Sequence, residues 1–160
     1  MLPLIDIDIR CQGWPDETDL LQSVNASIAA AIAAAGLEFA DAAELSMVFT
    51  DDTDMQAINR QWRGMDKPTN VLSFPADDIR PGDAAGAMLG DIVLALETVR
   101  REASLEDKQF DHHLRHLVIH GLLHLFGYDH MNDDEARIME SLERDALARM
   151  GIGDPYAGEA

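Results

Sequence analysis

Three histidines carry the chemistry that stands out in this chain: His120, His124 and His130. Residues four apart on a helix share a face, with Cβ atoms about 5–6 Å apart, so His120 and His124 can hold one ion between them. Gly127 then stops the helix in a left-handed conformation that glycine adopts cheaply, and the chain can fold back to bring in His130. Three neutral imidazoles with one open position form the plan of a catalytic zinc site, where bound water is acidified to a pKa of roughly 7. Structural zinc sites close the fourth position, usually with a cysteine. Cys11, the single cysteine, reads as part of a different segment, and no spacing favours it.

All the histidines fall between His112 and His130. Two of them four apart also suit an ordinary amphipathic helix; the third, just past a glycine stop, gives the metal reading its force. His116 extends the stripe by one turn and reads as a residue behind the ligands or as packing. His112 and His113 read as solvated. The spacing of ligands and glycine is that of the metzincin proteases. Those enzymes carry a glutamate general base directly after the first histidine, where this chain has Gly121. Peptide hydrolysis by that route lacks its proton acceptor here.

The elements that must position these residues follow from periodicity. Residues 4–9 alternate apolar and acidic, as a half-buried strand does. Pro15 and Asp16 open an alanine-rich helix with Leu20, Leu21, Val24, Ile28 and Ile32 at helical spacing, stopped by Gly36. Leu45 to Phe49 is a second strand. Thr50 or Asp51 caps a helix whose Met55, Ile58 and Trp62 share one face, ending at Gly64. Asn70 to Phe74 is a third strand, followed by an exposed loop over residues 76–89. Asp91 to Leu96 is a fourth, apolar enough for a central place in the sheet. Glu97 to Ala103 forms a short helix. Ser104 with Asp107 reads as the cap of a longer one reaching Phe126. Asn132 with Glu135 opens a last helix to Met150, and a short tail follows. Four strands and about five helices in uneven order indicate an α+β fold, a single domain over residues 1–160.

Composition narrows the function. Hydrophobic residues make up 47% and charged residues 26%, enough apolar material for a real core. Twelve Lys and Arg stand against thirty Asp and Glu, a net charge of -18, which excludes a general electrostatic nucleic-acid binder. Any RNA contact needs a local basic patch. The lone cysteine excludes an internal disulfide. No apolar run reaches the roughly 18 residues of a membrane span, and no secretory signal pattern opens the chain, so a cytoplasmic protein without a membrane partner is expected.

The run His120-Gly-Leu-Leu-His-Leu-Phe-Gly-Tyr-Asp-His130 resembles the signature of the YbeY family of bacterial endoribonucleases. A second run, Arg63-Gly-Met-Asp-Lys-Pro-Thr-Asn-Val-Leu-Ser-Phe-Pro75, matches that family's other characteristic segment. Leu89-Gly-Asp91, Asp133-Asp-Glu135 and Asp154-Pro-Tyr156 match as well, so the resemblance covers roughly Leu45 to Tyr156. It implies an α+β fold with a small, four-stranded mixed sheet and one Zn(2+) per chain on His120, His124 and His130. It implies cleavage of single-stranded RNA, in maturation of the 3′ end of 16S rRNA and in ribosome quality control. The small ribosomal subunit and ribosomal or assembly-factor proteins are the implied partners.

The family's functional arginine falls on Arg63. Phosphodiester hydrolysis develops negative charge on the phosphoryl oxygens, and a guanidinium fork can bind two of them. Arg63 also has a plainer reading, as a cation at a helix C-terminus. Arg60 and Lys67 are the further candidates for the rim of an RNA groove. Asp129 either orients a ligand histidine through its second ring nitrogen or caps the turn. Thr69 and Asn70 read as turn residues, and Ser73 as core or hydrogen-bonded within the sheet. Two rivals stand beside the nuclease: a zinc metalloprotease-like hydrolase, and a non-catalytic ribosome-assembly factor whose structural zinc has a fourth protein ligand. No residue stands in for the missing glutamate base, and the attacking oxygen is either water or the RNA 2′-hydroxyl.

Overall fold

The computed structural model describes residues 1–157. Its four strands, β1 (Leu4–Ile9), β2 (Glu44–Thr50), β3 (Val71–Pro75) and β4 (Met88–Ala95), form one sheet in the order β1-β2-β4-β3. β1, β2 and β4 run parallel and β3 is antiparallel to β4, so the sheet is mixed. Among the described residues there are five helices: α1 (Glu17–Ala35), α2 (Asp52–Arg63), α3 (Leu96–Leu105), α4 (Phe110–Leu125) and α5 (Asp133–Arg149). The α+β architecture expected from the sequence is the one found. No helix is long and apolar enough to cross a membrane.

Side-chain alternation along the central strands creates two layers. Leu45, Met47 and Phe49 of β2, with Ile92 and Leu94 of β4, join the main core, which α1, α4 and α5 complete. Val48, Val93 and Ala95 belong to the opposite core and meet Met55 of α2. α4 lies between the sheet and the other two large helices, which is why Leu117, Val118, Ile119, Leu122 and Leu123 are all buried. Each fully buried leucine or phenylalanine of this kind contributes roughly 1.5–3 kcal/mol. His120 and His124 therefore ride on a helix held by the sheet on one side and by α1 and α5 on the other.

Several boundaries differ from the sequence expectation. β4 begins at Met88 rather than Asp91, because Met88 pairs with Glu44 across a register shift. Ser104 and Asp107 do not cap α4. They close α3: Asp107 takes a positive φ of 54°, its N–H bonds the Ser104 carbonyl, and the Lys108 N–H bonds Ala103 at 2.8 Å. α4 starts later, at Phe110, with Gln109 as an N-cap lacking a side-chain bond. Trp62 does not join Met55 and Ile58 in the core. It is 65% exposed, a turn beyond the last apolar position that α2 buries.

The expected tail is also more than a tail. Asp154 pairs with Arg144, the Pro155 carbonyl accepts from Lys108, and Tyr156 inserts its hydroxyl between α4 and α5. Residues 158–160 of that segment lie outside the described residues.

Candidate metal centre

The end of α4 is a Schellman motif. The Gly127 N–H bonds the His124 carbonyl at 3.0 Å and the Tyr128 N–H bonds Leu123 at 3.1 Å, with Gly127 at φ 91°. A Cβ on Gly127 would stand 2.3 Å from the Ile79 carbonyl oxygen, so the loop after β3 packs against bare backbone there. The reversal returns His130 to the helix it has just left. Asp129 fixes that return by accepting the His130 backbone N–H at 2.8 Å; it caps the turn.

The three rings converge. The Nε2 atoms of His120 and His124 are 3.1 Å apart, and the His130 ring centroid lies 5.6 and 5.1 Å from theirs. One nitrogen from each residue falls within 4.8 Å of the others. Two nitrogens on a tetrahedral zinc, at roughly 2.0–2.1 Å from it, would be about 3.3 Å apart. The chemistry of the donors fits as well. Burial, then the nearby His120 and His130, push His124 down to about 4, against the pull of Asp129 and a hydrogen bond to the Tyr128 backbone. Its ring is neutral at ordinary pH and offers a lone pair. Among the described residues no cysteine or carboxylate joins the cluster, so a zinc ion there keeps a position open.

Glu143 stands behind the triad and was not singled out in the sequence. It is 1% exposed. One oxygen faces His120 Nδ1 at 3.1 Å; the other takes His116 Nε2 at 2.5 Å and the Tyr156 hydroxyl at 2.6 Å. Burial alone would raise its pKa, yet the hydrogen bonds from His116 and His120 hold it down at about 2. An ionised Glu143 fixes His120 as the tautomer with Nδ1 protonated and Nε2 free. A signal existed: Glu143 falls in line with Met139, Ala146 and Leu147 on the apolar stripe of α5, where an unpartnered charge is costly.

His116 thus stands one hydrogen-bonded step behind the ligands, through Glu143. His113, expected to be solvated, is 4% exposed and bonds Glu102 at 2.9 Å. Glu102 also accepts from Asn70 Nδ2 at 3.0 Å, which ties the start of β3 to α3. Burial raises the Glu102 pKa, but the bonds from His113 and Asn70 outweigh it and leave it below the usual carboxylate range.

The triad opens into a cleft of about 890 Å³ between α4 and β3. Arg63 lines it, as do Trp62, Phe74 and Tyr128. Arg63 comes there because α2 ends at Gly64 and the buried Asn59 Nδ2 ties the following loop back through the Lys67 carbonyl at 2.8 Å. The Arg63 guanidinium has no ion-pair partner among the described residues. Arg60 and Lys67 do not line the cleft; both are exposed, and Arg60 faces Asp66 at 3.9 Å. Ser73 bonds outward from the sheet, donating to the Gly121 carbonyl at 2.8 Å. A Cβ on Gly121 would meet Ile92 at 3.0 Å and Ser73 at 3.1 Å. The position of the protease glutamate is pressed onto the sheet, where a side chain requires Ile92 and Ser73 to give way.

Comparison with known proteins agrees with this geometry. The family model described as Endoribonuclease YbeY matches residues 12–151. The chain is 56% identical over 160 residues to the Endoribonuclease YbeY of Allorhizobium ampelinum, covering 97% of this chain and 95% of that one. It is 54% identical over 157 residues to that of Sinorhizobium medicae, covering 95% and 94%. The solution structure of TM1509 from Thermotoga maritima superposes with a TM-score of 0.56 over 92% of each chain; at 22% identity it speaks for the fold alone.

Proposed function

The chain belongs to the YbeY family of endoribonucleases, and from that premise we propose that it cleaves single-stranded RNA with one zinc ion held by His120, His124 and His130. The observation that carries the proposal is a cleft shared by this convergent triad and an unpaired arginine. Zinc held by His120, His124 and His130 would supply Lewis acidity toward the phosphodiester and activation of water. The chain's own residues do the rest. Glu143 holds His120 in its ligand tautomer, and the Gly127 turn delivers His130. Arg63, which lines the same cleft, offers its fork to the two phosphoryl oxygens on which charge develops.

The biological substrate we assign is ribosomal RNA, at the 3′ end of 16S rRNA in the small subunit, in the cytoplasm. The charge of -18 supports delivery by the ribosome or a protein partner over capture of free RNA. A protease reading finds no support at Gly121. A purely structural zinc finds none in a cluster without a fourth ligand among the described residues.

Cleavage of a labelled single-stranded RNA by zinc-loaded protein tests this, beside Arg63→Ala and His124→Ala. Arg63→Ala should lose roughly 10²–10³ in rate while keeping its zinc; His124→Ala should lose both. Equal cleavage by all three proteins would overturn the assignment.

A further inference from the structure

The cleft holds one feature that phosphate chemistry leaves unused. Trp62 lines it beside Arg63, with 65% of its surface open, and its neighbour on the wall is Phe74, at 6.0 Å between ring centroids and 65° between planes. That edge-to-face contact holds the indole at the lip of the cleft without covering it. A large aromatic left in water on a wall shared with the metal triad forgoes the burial energy its spacing on α2 would otherwise allow. Elsewhere the chain treats tryptophan differently: Trp14 is buried, and its indole N–H bonds the Thr50 carbonyl.

The electrostatics say what such a residue is for. Of the basic candidates only Arg63 lines the cleft, while Asp77, Asp78 and Asp129 line it too. Favourable charge for a polyanion is thus confined to Arg63 and the triad, and the rest of the strand needs another hold. Stacking is the other general means of holding a single strand. It contributes about 1–3 kcal/mol per base and tolerates any base, because every base has a π-face. We infer that Trp62, braced by Phe74, is a nucleobase-stacking subsite that takes an unpaired base next to the phosphate held at Arg63. The inference deepens the nuclease reading and rests on it for the identity of the strand. It also accounts for a preference for single strands, because a base inside a duplex has both faces covered by its stacked neighbours.

The test uses a short single-stranded oligonucleotide protected against both attacking oxygens by 2′-O-methylation and phosphorothioate linkages, together with the same strand carrying abasic positions. Binding is followed by tryptophan fluorescence. The base-bearing strand should quench the exposed Trp62. Trp62→Ala should lose the quenching and weaken binding roughly 10- to 100-fold, Trp62→Phe should keep most of the binding, and the abasic strand should bind the wild type no better than Trp62→Ala does. Equal affinity for both strands, or undiminished binding by Trp62→Ala, would overturn the subsite. So would a Trp62→Ala variant altered only in self-association, which would mean that a second copy covers the indole. Unmodified RNA separates the two readings. Stacking without cleavage removes the nuclease and leaves the subsite. Cleavage with an unchanged KM in Trp62→Ala removes the subsite and leaves the nuclease.

Discussion

Glu143 on α5 binds His120 on α4 through Nδ1 at 3.1 Å and holds His116, one helical turn away, with its other oxygen. One buried carboxylate therefore sets the tautomer of a candidate metal ligand and locks two helices together. Glu143→Gln keeps the volume but can no longer accept from all three donors at full charge. The expected outcome is zinc affinity weaker by about 10- to 100-fold, measured by competition with a chromogenic chelator. Wild-type affinity in Glu143→Gln would show that His120 needs no such support.

Tyr156 reaches the same carboxylate from the C-terminal segment at 2.6 Å. Tyr156→Phe removes one hydrogen bond to a charged group and little volume. The fold should lose about 1.5–3 kcal/mol, a fall of several degrees in Tm. An unchanged melting curve would mean that residues 152–157 only rest on the surface.

Gly127 combines a φ of 91° with a neighbour only 2.3 Å from where a Cβ would be. Gly127→Ala should cost about 1–3 kcal/mol in backbone strain alone. It should weaken zinc binding too, since the turn that carries His130 must shift. Calorimetry and the chelator competition read the two effects separately, and a variant with wild-type values in both would contradict the described turn.

How much of this was legible beforehand depended on distance along the chain. The triad was readable because His120, His124, Gly127 and His130 lie within three helical turns, where spacing alone fixes geometry. The caps at Asp51 and Asn132 are local in the same way. Tyr156 and His116 are 40 residues apart, and no periodicity announces their contact. Trp62 failed for a related reason. Helical spacing gives the direction in which a side chain points, but not whether the sheet extends far enough to cover it. Ser104 and Asp107 show a different limit, because the same residue types that open a helix can also close the preceding one.

The pair of Glu102 and His113 gives the protein a pH-dependent component of stability away from the metal ligands. Glu102 is held below its ordinary value of 4.5. A carboxylate with a lowered folded pKa adds stability that is fully present above about pH 4.5 and is lost as pH falls through the folded value. Denaturant unfolding of wild type and Glu102→Gln should therefore differ most near neutral pH, with the gap narrowing below pH 4.5. A gap that stays constant with pH would contradict the assignment.

RNA cleavage is assigned to the triad of His120, His124 and His130 in the cleft that Arg63 also lines. The most direct measurement strips the protein with a chelator, confirms by circular dichroism that the fold remains, and restores zinc in graded amounts while following cleavage of single-stranded RNA. The account predicts no cleavage by the stripped protein and recovery that saturates near about one zinc per chain, with Arg63→Ala taking up the same zinc and recovering little activity. Full cleavage by the folded, metal-free protein would contradict it.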